Sequence, residues 1–143
     1  MGLAGNYAIV GVGETDIKPK GIRDDVTQMS LILQACKRAI EDAGLTNKDI
    51  DGVLSAQAGP TFMYSLEIAE QLGIRPSYTT VLEVGGATPV SMVQHAMMAI
   101  DAGLCKTVVC VYGEKQRTKR AIPRHLTEVL WGYEEYENPY GLH

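Results

Sequence analysis

Two adjacent glycines, Gly85 and Gly86, follow an apolar stretch and lead directly into a segment with helical character. Glycine permits positive φ and lets the backbone pass close to a ligand. Thr88 is placed to cap the free amides of the first helical turn, and Pro89 suits the first helical position. Unpaired amides and the helix dipole attract a carboxylate, a thiolate or the oxyanion of a thioester. We call residues 84–88 the elbow, and we predict an anion-binding site there.

The elbow carries no nucleophile. An enzyme that forms covalent intermediates would place Cys or Ser at the tip, where this chain has Gly86. The amides of Gly86 and Ala87 are candidate catalytic donors of an oxyanion hole, with Gly85 and Gly86 against the substrate. The alternative is a tight strand-to-helix turn without a ligand. Glu114 is a further candidate residue, because it follows a later strand at the same sheet edge as the elbow. It would orient the site through a hydrogen bond. The alternative is a carboxylate that caps a helix or stabilises a loop.

Other nucleophile candidates are better explained by packing. Cys36 belongs to an apolar helical stripe and Cys110 to an apolar strand, so both are predicted to lie in the core. Cys105 opens a strand at the end opposite the elbow, where parallel sheets seldom bind ligands. Ser91 and His95 share a helix face, as half of a hydrolase triad would, but interior hydrogen bonding is the favoured interpretation.

Composition limits the class of protein. The chain has 143 residues, 45% of them hydrophobic, which predicts one globular domain with a core. A formal net charge of -4 and a pI near 5.3 argue against nucleic-acid partners and anionic membranes. Three cysteines without a C-x-x-C pair predict a reducing compartment and no metal site. Neither a signal peptide nor the roughly 20 apolar residues of a membrane span is found, so a cytoplasmic location is expected.

Apolar runs and turn residues predict a β-α-β-α-β-α-β order. This order favours an α/β fold with a mostly parallel sheet and right-handed crossovers. The first strand reads as buried on both faces. We expect a core domain over residues 1–113 and, over 114–143, an incomplete loop or cap region. The predicted strands are Tyr7–Gly13, Asp51–Ala56, Tyr78–Val84 and Thr107–Tyr112, and the predicted helices are Met29–Ala43, Met63–Leu72 and Pro89–Ala102.

The helix after the elbow is apolar around nearly its whole circumference, unlike the amphipathic first helix. A helix of this kind is buried on all sides. A single domain of this size rarely encloses a helix completely, so a second layer is expected to cover its far face. That layer would come from further sequence or from another chain.

Six segments, taken in their order along the chain, carry a family likeness. They are Ala8–Gly13, Ala39–Leu45, Ile50–Val53, Gly85–Ala87, Ala99–Gly103 and Val108–Glu114. Together they resemble the N-terminal half of the thiolase superfamily, in the branch of acetyl-CoA acetyltransferases and lipid-transfer-protein-like thiolases. The resemblance covers about four fifths of the chain and implies that the chain is part of a longer protein.

The resemblance implies a site with an altered nucleophile. Thiolases carry their nucleophilic cysteine at the start of the helix whose end looks like Ile100–Gly103, and counting back places Gly86 at that position. The remaining acid/base residues, a histidine and a second cysteine, lie in the C-terminal half. The resemblance also implies two halves in five layers with the elbow helix in the middle, and a homodimer formed through strand 78–84.

Two functions follow from the resemblance. The first is an acyltransferase-like or retro-aldol enzyme of lipid metabolism, active when full length, whose substrate is a coenzyme A thioester and which binds no covalent cofactor. The second is a catalytically silent subunit that scaffolds a partner, since some relatives work beside a small zinc-ribbon and OB-fold protein. This chain alone is expected to be inactive.

Basic residues near the end of the chain are candidate contacts for coenzyme A phosphates. His125 is the predicted substrate-binding residue of this group, and the alternative is a solvated charged loop. Gly11 and Gly13 lack the third glycine of a dinucleotide fingerprint and nothing matches a P-loop, so nucleotide binding is not expected. The basic run comprises Lys115, Arg117, Lys119 and Arg120.

Overall fold

A computed structural model describes residues 5–16, 26–56 and 63–114 of the chain. Within these ranges no helix is long and apolar enough to cross a membrane. Two short 3-10 turns, at Asn47–Asp49 and Gly85–Ala87, accompany the helices and strands. In chain order those elements are α1 (Gln28–Asp42), β1 (Gly52–Ala56), α2 (Tyr64–Leu72), β2 (Tyr78–Leu82), α3 (Thr88–Asp101) and β3 (Val108–Val111).

The three strands form one parallel sheet in the order β2-β1-β3. Gly52 at the start of β1 pairs with Tyr78 on one side and Val108 on the other, so the strands are in register. Every residue of the central strand β1 is buried. The predicted α/β class with a parallel sheet is therefore confirmed.

Local signals in the sequence fix the ends of α1. The hydroxyl of Thr27 accepts a hydrogen bond from the amide of Ser30 at 3.0 Å, and the Ser30 hydroxyl accepts from the Thr27 amide at 3.0 Å. These reciprocal bonds form a capping box and satisfy two free donors at the helix start. The helix ends before Gly44, whose φ of +68° suits glycine.

The sheet is covered on both faces. On one face, α1 and α2 pack against alternate strand residues in a single apolar cluster. On the opposite face, α3 contacts all three strands, and Met92 and Ala99 are buried residues of this helix. The cluster comprises Ile32, Cys36, Ile40, Ile50, Val53, Tyr64, Ile68, Ala69, Leu72, Ile74, Val109 and Val111.

The predicted first strand, Tyr7–Gly13, is wrong. This segment has no strand partner among the described residues, and the side chains of Ile9, Val10 and Val12 are 71%, 62% and 71% exposed rather than buried. The segment instead lies against α1, because a Cβ on Gly11 would fall 2.2 Å from the carbonyl oxygen of Ala39. The two glycines of the segment, Gly11 and Gly13, therefore allow its backbone to pack closely against α1. In the described ranges, no strand pairs with the outer edge of β3.

The helix α3 is covered on one face only. Val90 is 76% exposed and Met98 is 48% exposed, although the sequence predicted burial on all sides. Within the described residues no second layer covers them. The prediction that α3 is buried on all sides thus depends on a second layer, which would come from further sequence or from another chain.

Candidate functional site

The elbow lies at the carboxyl end of β2, as the sequence predicted. The strand ends at Leu82, a 3-10 turn follows at Gly85–Ala87, and α3 begins at Thr88. Residues 83–87 are exposed. Gly85 has a φ of +60°, which an L-residue with a side chain rarely adopts. The carboxyl ends of parallel strands are the usual ligand-binding edge of such sheets, and the elbow opens there.

Thr88 stabilises the turn rather than capping the helix. Its buried hydroxyl accepts a hydrogen bond from the amide of Val84 at 3.0 Å and donates one to the carbonyl of Gly85 at 2.7 Å. The N-cap residue is Ala87, whose side chain makes no capping bond. Thr88 follows the 3-10 turn and is the first residue of the helix. The predicted capping by Thr88 is therefore wrong, whereas Pro89 does stand at the helix start.

The amides of the turn are not equivalent. Val84 is the residue before the 3-10 turn, so its carbonyl accepts the amide of Ala87 as the first bond of that turn. As residues at the start of the helical segment, Gly85 and Gly86 have no intrahelical acceptor for their amides. Among the amides of the turn, those of Gly85 and Gly86 are therefore the ones without an intrahelical acceptor.

Gly86 is a glycine that the backbone does not require. Its φ is not in the left-handed region, and a Cβ built on it would meet no heavy atom of the described residues within 4 Å. A side chain at this position would therefore extend into open space above the elbow. A substrate group can occupy the same space.

Tyr112 and Glu114 lie beyond the end of β3, at the same sheet edge as the elbow. Val111 faces α1 and α2, so by strand alternation Tyr112 faces the side of α3. Partial desolvation, a hydrogen bond to Glu114 and the charge of that carboxylate together raise the pKa of Tyr112. Because β1 separates β2 from β3, the two strand ends are about 10 Å apart. Sequence reasoning identified Glu114 but missed Tyr112, although the Tyr-x-Glu spacing after a strand was visible.

The cysteines lie where core packing predicted. Cys36 is 1% exposed, and burial raises the pKa of its thiol to about 12. Burial also raises the pKa of Cys110 to about 11, and its thiol donates to the carbonyl oxygen of Met92 at 3.8 Å. Cys105 is buried at the amino end of β3, opposite the elbow. None of the three is a thiolate near the elbow.

Ser91 and His95 do not form half of a hydrolase triad. The ring Nδ1 of His95 lies 2.9 Å from the backbone carbonyl oxygen of Ser91, and a carbonyl requires that this nitrogen donate. The bond is local to α3 and does not involve the serine hydroxyl. His95 thus makes a hydrogen bond, as predicted, but the bond is only partly buried, and interior bonding of the Ser91 hydroxyl stays a prediction.

Some predicted residues lie outside the described ranges. These are His125, the basic run from Lys115 to Arg120 and the remainder of the expected cap region, so their proximity to the elbow stays a prediction. In the part of the chain that is described, no group of three or more His, Cys, Asp or Glu residues is gathered to hold a metal ion.

Two curated relatives are named as a CoA lyase and as a side-chain-cleaving aldolase. The chain is 29% identical over 116 residues to the 17-hydroxy-3-oxo-4-pregnene-20-carboxyl-CoA lyase of Mycobacterium tuberculosis, covering 81% of this chain and 29% of that protein. It is 30% identical over 117 residues to the steroid side-chain-cleaving aldolase of Thermomonospora curvata, again covering 81% and 29%. The chain therefore spans 29% of the length of these relatives. No protein-family profile matches it.

A solved structure shares the fold over nearly the whole chain. The match to the Ltp2-ChsH2(DUF35) aldolase has a TM-score of 0.74 at 26% sequence identity, and it covers 95% of this chain and 34% of that one. The sequence comparison and the structure comparison thus each match a protein that is named as an aldolase.

Proposed function

Because this chain has the fold of the thiolase superfamily and resembles thiolase-like aldolases in sequence, we propose that it forms part of an acyl-CoA lyase. The intact protein, meaning a longer polypeptide that contains residues 1–143, breaks a carbon–carbon bond next to a coenzyme A thioester. It does so by a retro-aldol reaction, without an acyl-enzyme at Gly86. Of the acyltransferase-like and retro-aldol reactions, we thus propose the retro-aldol reaction. Residues 1–143 by themselves are expected to be inactive.

The reaction needs an enolate-stabilising site and a base. A base removes the proton of a β-hydroxyl group, and the Cα–Cβ bond breaks as a carbonyl forms at Cβ. The electron pair of the broken bond moves into the thioester, which becomes an enolate. Protonation of the enolate at Cα gives a shortened acyl-CoA and a ketone or an aldehyde. Oriented hydrogen-bond donors stabilise the enolate oxygen, and no attacking sulfur is involved.

The observation that carries this proposal is the open, nucleophile-free elbow. Gly85 and Gly86 present amides without intrahelical acceptors at the start of α3, where the helix dipole favours negative charge. The absence of a side chain at Gly86 leaves space for the thioester. The names of two relatives, a CoA lyase and a side-chain-cleaving aldolase, support the same type of chemistry.

Glu114 has a supporting role in the proposed site. Besides partial desolvation, a hydrogen bond to Glu114 and the charge of its carboxylate contribute to the raised pKa of the neighbouring Tyr112. We place Glu114 as a positioning residue. His125 and the neighbouring basic run remain candidate contacts for coenzyme A phosphates.

The proposal is tested with the intact protein and 3-hydroxyacyl-CoA thioesters. Mass spectrometry should detect a shortened acyl-CoA and the matching carbonyl product, with no mass added to the protein. Failure to cleave any thioester of a panel with branched and cyclic acyl groups, or a stable adduct on residues 1–143, would contradict it.

A Gly86→Cys variant provides a sharper version of the test. The space above Gly86 accommodates a side chain, and a helix N-terminus lowers the pKa of a cysteine thiol. With acyl-CoA this variant should gain the mass of one acyl group, whereas Gly86→Ala should not. Without an adduct on the cysteine variant, Gly86 would not be adjacent to the bound thioester.

A silent, scaffolding subunit is the second candidate. The solved structure with the same fold is named as an Ltp2-ChsH2 pair, which supports a partner subunit for the intact protein as well. We propose a small zinc-ribbon and OB-fold partner. Activity that appears only with the partner and survives Gly86→Trp would favour the silent role, because that substitution fills the elbow.

We also retain the proposal of a cytoplasmic homodimer formed through strand 78–84. In its support, the five residues of β2 are all half-buried, and among the described residues no strand pairs with its outer edge. The described cysteines are free thiols, in line with a reducing compartment.

A further inference from the structure

The end of β3 carries two titratable side chains on the side of the sheet that α3 covers. A Cβ on Gly113 would lie 2.7 Å from Cγ1 of Ile32, so Gly113 faces α1 on the other side. Because side chains alternate along an extended chain, Tyr112 and Glu114 both face the side of α3. The side-chain amide of Gln28 donates to the carbonyl of Gly113 at 2.9 Å and holds this end of the strand in place.

Tyr112 lies level with the elbow along the direction of the strands. The thiol of Cys110 donates to the carbonyl oxygen of Met92 at 3.8 Å, which fixes the position of α3 along β3. From Cys110 to Tyr112 the chain advances about 6.6 Å toward the carboxyl edge. Helix α3 runs in the opposite direction at about 1.5 Å per residue, so the same distance leads back about four residues from Met92. The residue at that level is Thr88, where α3 begins.

Glu83 follows β2 at the same edge but faces the other side of the sheet. Val81 packs against the apolar cluster between the sheet and the helices α1 and α2, so by alternation Glu83 also faces those helices. Among the described residues just beyond the strands, the titratable side chains on the side of α3 are therefore Tyr112 and Glu114.

The phenol of Tyr112 is suited to passing a proton rather than to ionising. Its side chain is 49% exposed, so a substrate can reach it. Partial desolvation, a hydrogen bond to Glu114 and the charge of that carboxylate raise the pKa of Tyr112, so the phenol keeps its proton at neutral pH. A neutral phenol is a weak base. A carboxylate has acceptor atoms only, so Glu114 can take the phenol proton as the phenol oxygen takes another.

We propose that Tyr112 is the base of the retro-aldol reaction, an assignment that rests on the proposed function, and that its phenol proton passes to Glu114. The O–H bond of the substrate β-hydroxyl breaks as its proton moves to the phenol oxygen, and the phenol proton moves to a carboxylate oxygen. The electron pair left on the substrate oxygen forms the new carbonyl bond, and the Cα–Cβ pair moves into the thioester. Glu114, which is exposed, then releases its proton to solvent.

The proposal is tested in the intact protein with 3-hydroxyacyl-CoA thioesters. Tyr112→Phe should lower kcat by about 100-fold or more and leave KM within about 2-fold, because a general base acts in the chemical step. The Kd of an acyl-CoA without a β-hydroxyl should also stay within about 2-fold, since the base contacts that hydroxyl. Tyr7→Phe is the matched control. The hydroxyl of Tyr7 also bonds to a carboxylate, that of Asp101 at 2.6 Å, but at the far end of α3, so kcat should not change.

Glu114→Gln separates uptake of the proton from orientation of the phenol. The amide oxygen of Gln still accepts a hydrogen bond from the phenol but does not take up its proton. In this variant kcat should fall by at least about 10-fold, whereas KM and the Tm should be unchanged.

The outcomes separate this proposal from the proposed function. If the wild type cleaves a thioester and either Tyr112→Phe or Glu114→Gln keeps full kcat, the proton transfer is overturned and the lyase function stands. An equal loss of kcat in Tyr7→Phe and Tyr112→Phe would also overturn the proton transfer alone. A wild type that cleaves no thioester would overturn both.

Discussion

At the level of single residues, the two elbow glycines differ in why they are glycine. Gly85 has a φ of +60°, whereas Gly86 has no positive φ, and a Cβ on Gly86 would meet no heavy atom within 4 Å in the described part of the chain. Gly85→Ala should lower the free energy of unfolding by about 1 to 2 kcal/mol. Gly86→Ala should leave it unchanged or raise it by about 0.5 kcal/mol. Urea denaturation of the two variants measures both, and equal losses would show that the turn itself demands glycine at 86.

Cys36 should make stability depend on pH above the ordinary thiol range. Burial raises its pKa from 9.0 to about 12, so the folded state keeps the thiol protonated where the unfolded chain ionises. Its contribution is therefore complete below pH 9 and is lost as the pH rises toward 12. Between pH 8 and 10.5, the wild type should lose about 2 kcal/mol more than Cys36→Ala. Parallel losses in the two proteins would contradict burial of this thiol.

At the level of elements, the elbow depends on one hydroxyl. Thr88 joins the amide of Val84 to the carbonyl of Gly85 through a hydroxyl that belongs to a buried residue. Thr88→Val removes both hydrogen bonds at nearly constant volume and should cost about 1 to 3 kcal/mol, because the amide and the carbonyl lose their partner. Thr88→Ser keeps the hydroxyl and should cost less than half as much. Thermal unfolding compares the variants, and equal costs would assign the effect to the methyl group.

The helices and the three paired strands could be predicted from sequence because their signals are local. Periodic apolar residues together with Thr27, Gly44 and Gly73 define α1 and α2. The strand prediction for Tyr7–Gly13 was wrong because a strand needs a pairing partner. The local sequence pattern does not indicate whether such a partner is present. The role of Thr88 was missed since the 3-10 turn shifted the helix start.

At the level of the whole molecule, the described residues expose more apolar surface than a self-contained domain needs. Among them, Val90 and Met98 on α3 are exposed. Such patches promote association. Residues 1–143 should therefore self-associate with increasing concentration, and Val90→Lys with Met98→Lys should reduce this several-fold in sedimentation velocity. A wild-type chain that stays monomeric at high concentration would contradict the missing layer.

The most direct measurement of the central claim is the cleavage of a 3-hydroxyacyl-CoA by the intact protein in D2O. An enolate held at the elbow takes its proton from solvent, so the shortened acyl-CoA should carry one deuterium at Cα while the protein mass stays unchanged. An acylated protein during turnover, or a product without deuterium at Cα, would contradict an enolate stabilised at a nucleophile-free elbow.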